Sequence, residues 1–110
     1  CGYNIYKYSY GTDVGIHNTG ETALSYSLYQ NYPNPFNPNT TIKFSLAKTG
    51  DVRISVFDIM GREITTLIDE KLQSGTYTVD LNAEELPSGV YFYNLETDNF
   101  NETKKMLLIK

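Results

Sequence analysis

From Thr40 onward the chain alternates apolar and polar residues with a period of two, in one short run after another. Ile42, Phe44 and Leu46 alternate with Thr41, Lys43 and Ser45, and Val52, Ile54 and Val56 alternate with Arg53, Ser55 and Phe57. Successive side chains of a strand point to opposite faces, so this period sets one face of each run against a core; a helix would need apolar residues three and four apart. Thr49-Gly50-Asp51 marks the turn between the two runs. Asp58-Ile59-Met60-Gly61-Arg62 reads as a second turn with Gly61 at positive φ, where the absence of a Cβ matters.

That turn feeds a strand over 63–68, and the polar residues 69–75 close on Gly75. Tyr77, Val79 and Leu81 then alternate with Thr76, Thr78 and Asp80. Residues 82–85 have room for a short helical turn, which Pro87 stops. Pro87-Ser88-Gly89 is turn chemistry, with Gly89 launching a nearly continuous apolar run over 90–97 that suits a central strand covered on both faces. A hairpin-like loop at 98–101 leads to a last strand over 102–110. With one or two strands in residues 13–29, these make about seven or eight short strands at regular spacing, the pattern of an all-β antiparallel sandwich.

Composition bounds the rest. At 110 residues the chain holds one core without help from disulfides, and 14% aromatic residues with no Trp favour strands. A net charge of −4 supplies no basic face for a phosphate backbone, so nucleic acid is not an expected partner. The longest apolar run, Met106 to Ile109, falls far short of the roughly eighteen residues that cross a bilayer, so no membrane-spanning segment is expected. The chain begins at Cys1 without an initiator Met or a secretory leader and reads as a mature or excised piece. Its single cysteine cannot close an internal disulfide; a proteolytic end, an interchain link and a lipidated start all remain open.

Two zones differ in character. Residues 1–32 hold seven of the ten tyrosines and no phenylalanine, while all five phenylalanines lie from Phe36 onward. Tyr6, Tyr8 and Tyr10 alternate as a strand with one aromatic face would. We therefore divide the chain into a Tyr-rich segment, 1–27, which adds strands or serves as an arm, and a sandwich domain, 28–110. The entry of the sandwich domain carries Tyr32-Pro33-Asn34-Pro35-Phe36-Asn37-Pro38. Its prolines fix φ and bias the residues before them to extended conformations, so it should run without ladder bonding at the proline positions. Tyr32 and Phe36 are expected to insert into the sandwich and pin the segment to the domain.

Catalytic chemistry is poorly provided for. Cys1 and His17 are the only nucleophile and base of their kinds, and no Gly-x-Ser-x-Gly elbow occurs; a terminal thiol and a surface histidine are the plainer reading. Structural zinc wants four Cys or His ligands where two exist. Asp69-Glu70 and Glu84-Glu85 fall in predicted turns, where solvated charge is commonplace, and sequence neighbours rarely face each other across a cleft as glycosidase acids must. The oxygens of residues 34–41 suit calcium in kind, but the stretch has no carboxylate. No cofactor or metal is expected. Asn39-Thr40-Thr41 and Asn101-Glu102-Thr103 match the glycosylation sequon, a triplet that arises readily by chance in such a chain.

Four co-linear stretches carry a resemblance. They are Tyr32 to Pro38, Val56-Phe57-Asp58-Ile59-Met60-Gly61-Arg62-Glu63, Leu86-Pro87-Ser88-Gly89-Val90-Tyr91-Phe92-Tyr93, and Lys104-Lys105-Met106-Leu107-Leu108-Ile109-Lys110. Together, over about residues 28–110, the chain resembles the type A C-terminal sorting domain of the Bacteroidetes-type (type IX) secretion system. The resemblance implies a seven-stranded immunoglobulin-like sandwich with no catalysis of its own. It implies cargo that crosses the inner membrane and periplasm, leaves through an outer-membrane translocon, and stays secreted or at the cell surface. It further implies a surface peptidase that removes the domain just upstream and can link the cargo to lipopolysaccharide. The recognised element would be Lys104, Lys105, Met106, Leu107, Leu108, Ile109 and Lys110.

A strand at a sheet edge leaves N–H and C=O groups unpaired, and such an edge can be captured by strand addition, so the last strand is physically suited to be read. Lys104, Lys105 and Lys110 would discourage promiscuous pairing. Residues 1–27 lie outside the resemblance and are cargo remnant, extra strands or arm. A second reading is therefore a small self-assembling surface or filament subunit in which residues 1–12 pair with a neighbour's edge. A third, a carbohydrate-binding sandwich, rests only on the tyrosines.

Overall fold

A computed structural model describes residues 16–110. Cys1, the Tyr6 to Tyr10 alternation and the arm at 1–12 lie outside the described residues. Eight strands and no helix form among the described residues: β1 (Ile16–Asn18), β2 (Ser27–Leu28), β3 (Asn39–Leu46), β4 (Gly50–Phe57), β5 (Glu63–Leu72), β6 (Gly75–Asn82), β7 (Gly89–Thr97) and β8 (Asn101–Leu108). They make two antiparallel sheets, ordered β1-β6-β3-β2 and β5-β4-β7-β8. With β1 set aside, three strands oppose four and the chain changes sheet after β3, after β5 and after β6, the connectivity of an immunoglobulin-like sandwich. The corner before β7 carries a further mark of that architecture: the Tyr91 hydroxyl donates to the Pro87 carbonyl four residues back, at 2.6 Å.

The period-two runs put their apolar members inside. Ile42, Phe44 and Leu46 of β3 meet Val52, Ile54 and Val56 of β4, with Val79, Leu81, Tyr93, Leu95, Met106 and Leu108 completing a closed core. Phe44 stacks on Tyr77 of the neighbouring strand with ring centroids 5.5 Å apart, an offset arrangement that adds to simple burial. Ahead of β2, Tyr26 stacks on Phe100 in the β7–β8 loop at 5.6 Å, so the chain before residue 28 already packs on the sandwich.

Two expectations change. β5 runs on to Leu72, where the sequence suggests a polar loop after Ile68: Asp69, Glu70 and Lys71 pair with Arg53, Val52 and Asp51 of β4. The register slips twice along this pair, leaving Leu67 and Ile64 as extra residues; each is a β-bulge, and the first turns both Leu67 and Ile68 inward. Nor is β7 covered on both faces. It lies between β4 and β8 with Tyr91, Tyr93 and Leu95 inward, while Val90, Phe92 and Asn94 stay half-buried on the sheet's outer face.

Candidate functional site: the edge of the last strand

β8 ends its sheet, with β7 its single strand partner. Alternation divides the expected recognition residues between two faces. Met106 and Leu108 lie in the core, Lys105 and Lys110 are exposed, Ile109 is 49% exposed and Leu107 is half-buried. Lys104, also half-buried, pairs with Glu102 at 3.3 Å. The seven residues therefore form one contiguous stretch of which only part faces outward.

The expected unpaired edge is in fact occupied over its C-terminal half. Phe36 forms a parallel bridge with Leu108: the Phe36 N–H donates to the Leu107 carbonyl and the Ile109 N–H donates to the Phe36 carbonyl, both at 3.0 Å. The Leu107 N–H donates to the side-chain oxygen of Asn34 at 3.0 Å, and the Gln30 amide donates to the Lys105 carbonyl at 2.7 Å. The proline segment can do this because Phe36 retains a free N–H between prolines that have none. Its three Xaa–Pro bonds, at Pro33, Pro35 and Pro38, are cis. Beyond β8, the Lys110 N–H donates to Ser88 Oγ at 3.1 Å and the Lys110 ammonium reaches the Glu84 carbonyl.

Phe36 inserts as expected, at 2% exposure, but Tyr32 does not, at 80%. The Tyr32 backbone pairs with Thr41 through two 3.0 Å hydrogen bonds, which fixes the facing of its neighbours, and it is Asn31 that points inside. Asn31 is fully partnered there. Its N–H donates to the Tyr93 hydroxyl at 2.8 Å, and its side-chain amide donates to the Pro33 carbonyl at 3.1 Å and to Thr40 Oγ1 at 3.0 Å. Gln30 donates to the Asn31 side-chain oxygen at 2.7 Å, linking this network to the Lys105 carbonyl. Burial pushes the Tyr93 phenol up to about 12.

Gly61 lies in the β4–β5 turn at φ +84°, as its position in the sequence suggests. Asp58 organises that turn: one carboxylate oxygen accepts from the N–H groups of Met60 and Arg62, and the other accepts from Arg62 Nε. The Arg62 N–H foremost among these holds the Asp58 carboxyl below its ordinary range. Gly89 begins β7 with open space where a Cβ would stand.

Three side-chain oxygens of residues 34–41 are engaged within the protein, those of Asn34 with Leu107, Thr40 with Pro33 and Thr41 with Asp80. Among the described residues no three His, Cys, Asp or Glu side chains gather for a metal. His17 lies 3.6 Å from Asp80 with both side chains exposed. Asp69 and Glu70 sit on an exposed strand rather than in a turn. Sequence reasoning missed the contacts of Gln30 with Lys105 and of Asn31 with Tyr93, which join positions far apart along the chain and leave no local pattern.

The sequence model of a family described as Secretion system C-terminal sorting domain matches residues 30–110. The chain belongs to this family. The matched stretch opens on Gln30, whose side chain reaches Lys105, so the type IX sorting domain as matched contains both the covered strand and its cover. No curated protein matches the chain. Membership gives this protein a sorting signal, and with it a secreted or cell-surface destination.

Proposed function

We propose that the sorting domain is a non-catalytic export label, carried through the periplasm and read by an outer-membrane translocon through Lys104 to Lys110. A surface sorting peptidase then acts upstream of the domain, with residues 28–110 as the unit that is recognised. The observation that carries this reading is the double character of β8. Met106 and Leu108 lock the strand into the core while Lys105, Ile109 and Lys110 stand in solvent at the end of a sheet. A strand so held presents fixed side chains to a receptor at little further ordering cost.

The test fuses residues 28–110 to a reporter in a bacterium with this secretion route. Removing residues 104–110 also removes two core side chains, so a paired variant, Lys105→Ala with Ile109→Ala, keeps the core intact. Surface export should fall at least tenfold in both. Export of the paired variant at the parent level would overturn the assignment of these side chains, and equal export after the deletion would overturn the role of the strand.

A further inference from the structure

We infer that the proline segment is a resident competitor for the β8 edge: it holds the backbone groups that an incoming strand would use, so the folded domain is closed to strand addition over Lys105 to Ile109. The inference takes β8 as the recognised element, as proposed above. Strand addition needs a row of outward N–H and C=O groups. Here the N–H and C=O of Leu107, the N–H of Ile109 and the C=O of Lys105 all point outward, and Asn34, Phe36 and Gln30 engage every one of them.

The cover makes a poor template in its turn. Phe36 is its single bridging residue on this side, and Pro33, Pro35 and Pro38 supply no N–H to a further strand. Side chains of Asn34 and Gln30 stand in for the ladder that the prolines interrupt. The segment is also tethered at both sheets, through Tyr32 to Thr41 of β3 and through Phe36 to β8. Lifting it from β8 therefore means withdrawing a buried phenylalanine, whereas the bonds of Gln30 and Asn34 break at the surface. The partner chemistry excluded from the closed domain is an extended strand that pairs through its backbone. The exposed side chains of Lys105, Ile109 and Lys110 remain accessible in the same state.

The experiment compares the full chain with the double variant Gln30→Ala, Asn34→Ala, both positions being exposed. Amide hydrogen exchange is read at Leu107 and Ile109, with core amides at Ile54 and Val79 as the check on folding. Binding is read with a fluorescent peptide copying residues 101–110 as the strand probe. Loss of the two side-chain bonds to β8, together with that of Gln30 to Asn31 Oδ1, should speed exchange at Leu107 by about tenfold or more and raise peptide binding by a similar factor, with the core amides unchanged. Unchanged Leu107 exchange in the variant, or equal peptide binding by parent and variant, would overturn the inference. Both readouts are made on purified protein, so they stand or fall apart from the export result for Lys105→Ala with Ile109→Ala.

Discussion

The hydroxyl of Tyr93 donates to the carbonyl oxygen of Tyr29 at 2.7 Å, tying the middle of β7 to the chain just past β2. The phenol oxygen of Tyr93 in turn accepts from the N–H of Asn31, so one hydroxyl closes two backbone groups of the segment that leads to the prolines. Tyr93→Phe leaves the buried Asn31 N–H without its acceptor, and a loss of about 1–3 kcal/mol is expected in urea unfolding. Tyr91→Phe, which frees a carbonyl at a more open corner, should cost about 1 kcal/mol.

The same residue sets an alkaline limit. Its folded pKa of about 12 lies above the unfolded 10.0, so the folded state holds the phenol proton more tightly. The stability linked to it is complete below pH 10.0 and is lost as pH climbs toward about 12. The full effect is on the order of 2–3 kcal/mol. Unfolding measured across this window should show a decline in the parent that Tyr93→Phe lacks.

Gly61 should be the intolerant glycine of the β4–β5 turn. At φ +84° a Cβ is strained even though nothing crowds it, so Gly61→Ala should cost about 1 kcal/mol. Gly50→Ala, where the space is open and φ is not positive, is the matched control and should lie within about 0.5 kcal/mol of the parent. Equal thermal shifts for the two would contradict the role of the backbone angle.

The two aromatics of the proline segment should separate sharply. Phe36→Ala empties a core position and is expected to cost about 3–5 kcal/mol, while Tyr32→Ala, at 80% exposure, should stay within about 0.5 kcal/mol. Denaturant midpoints with unchanged slopes measure both.

A similar contrast runs along β8. Leu108→Ala should cost about 2–5 kcal/mol from the core, and Lys105→Ala about 0.5 kcal/mol or less. A defect in export caused by the first is then a folding defect, and one caused by the second is a defect in recognition, provided that soluble protein yields are compared.

How far the sequence reveals this structure depends on where the information lies. β3, β4 and β6 are legible because each buries one face, and burial writes itself as alternation within eight residues. The second half of β5 is illegible because Asp69, Glu70 and Lys71 pair through the backbone at an edge and bury nothing. Strands of three and two residues, β1 and β2, are too short to show a period. In the site, the motif around the prolines and the identity of the last strand were readable, but their contact was not. It rests on Gln30 and Asn34 meeting residues more than seventy positions away. Asn31 shows the same limit, since its polarity argues for solvent until Tyr93, Thr40 and Pro33 are brought around it. A shift of one residue in facing then puts Tyr32 outside.

The twice-bulged β5 bears on how these molecules behave when crowded. It is the opposite flank of the sheet that β8 closes, and its register breaks at Leu67 and Ile64 and its exposed Asp69, Glu70 and Lys71 make it a poor surface for a neighbour to copy. Many such domains massed side by side should thus remain separate colloidal particles as far as this sheet is concerned, and fibre growth along it is disfavoured at both flanks.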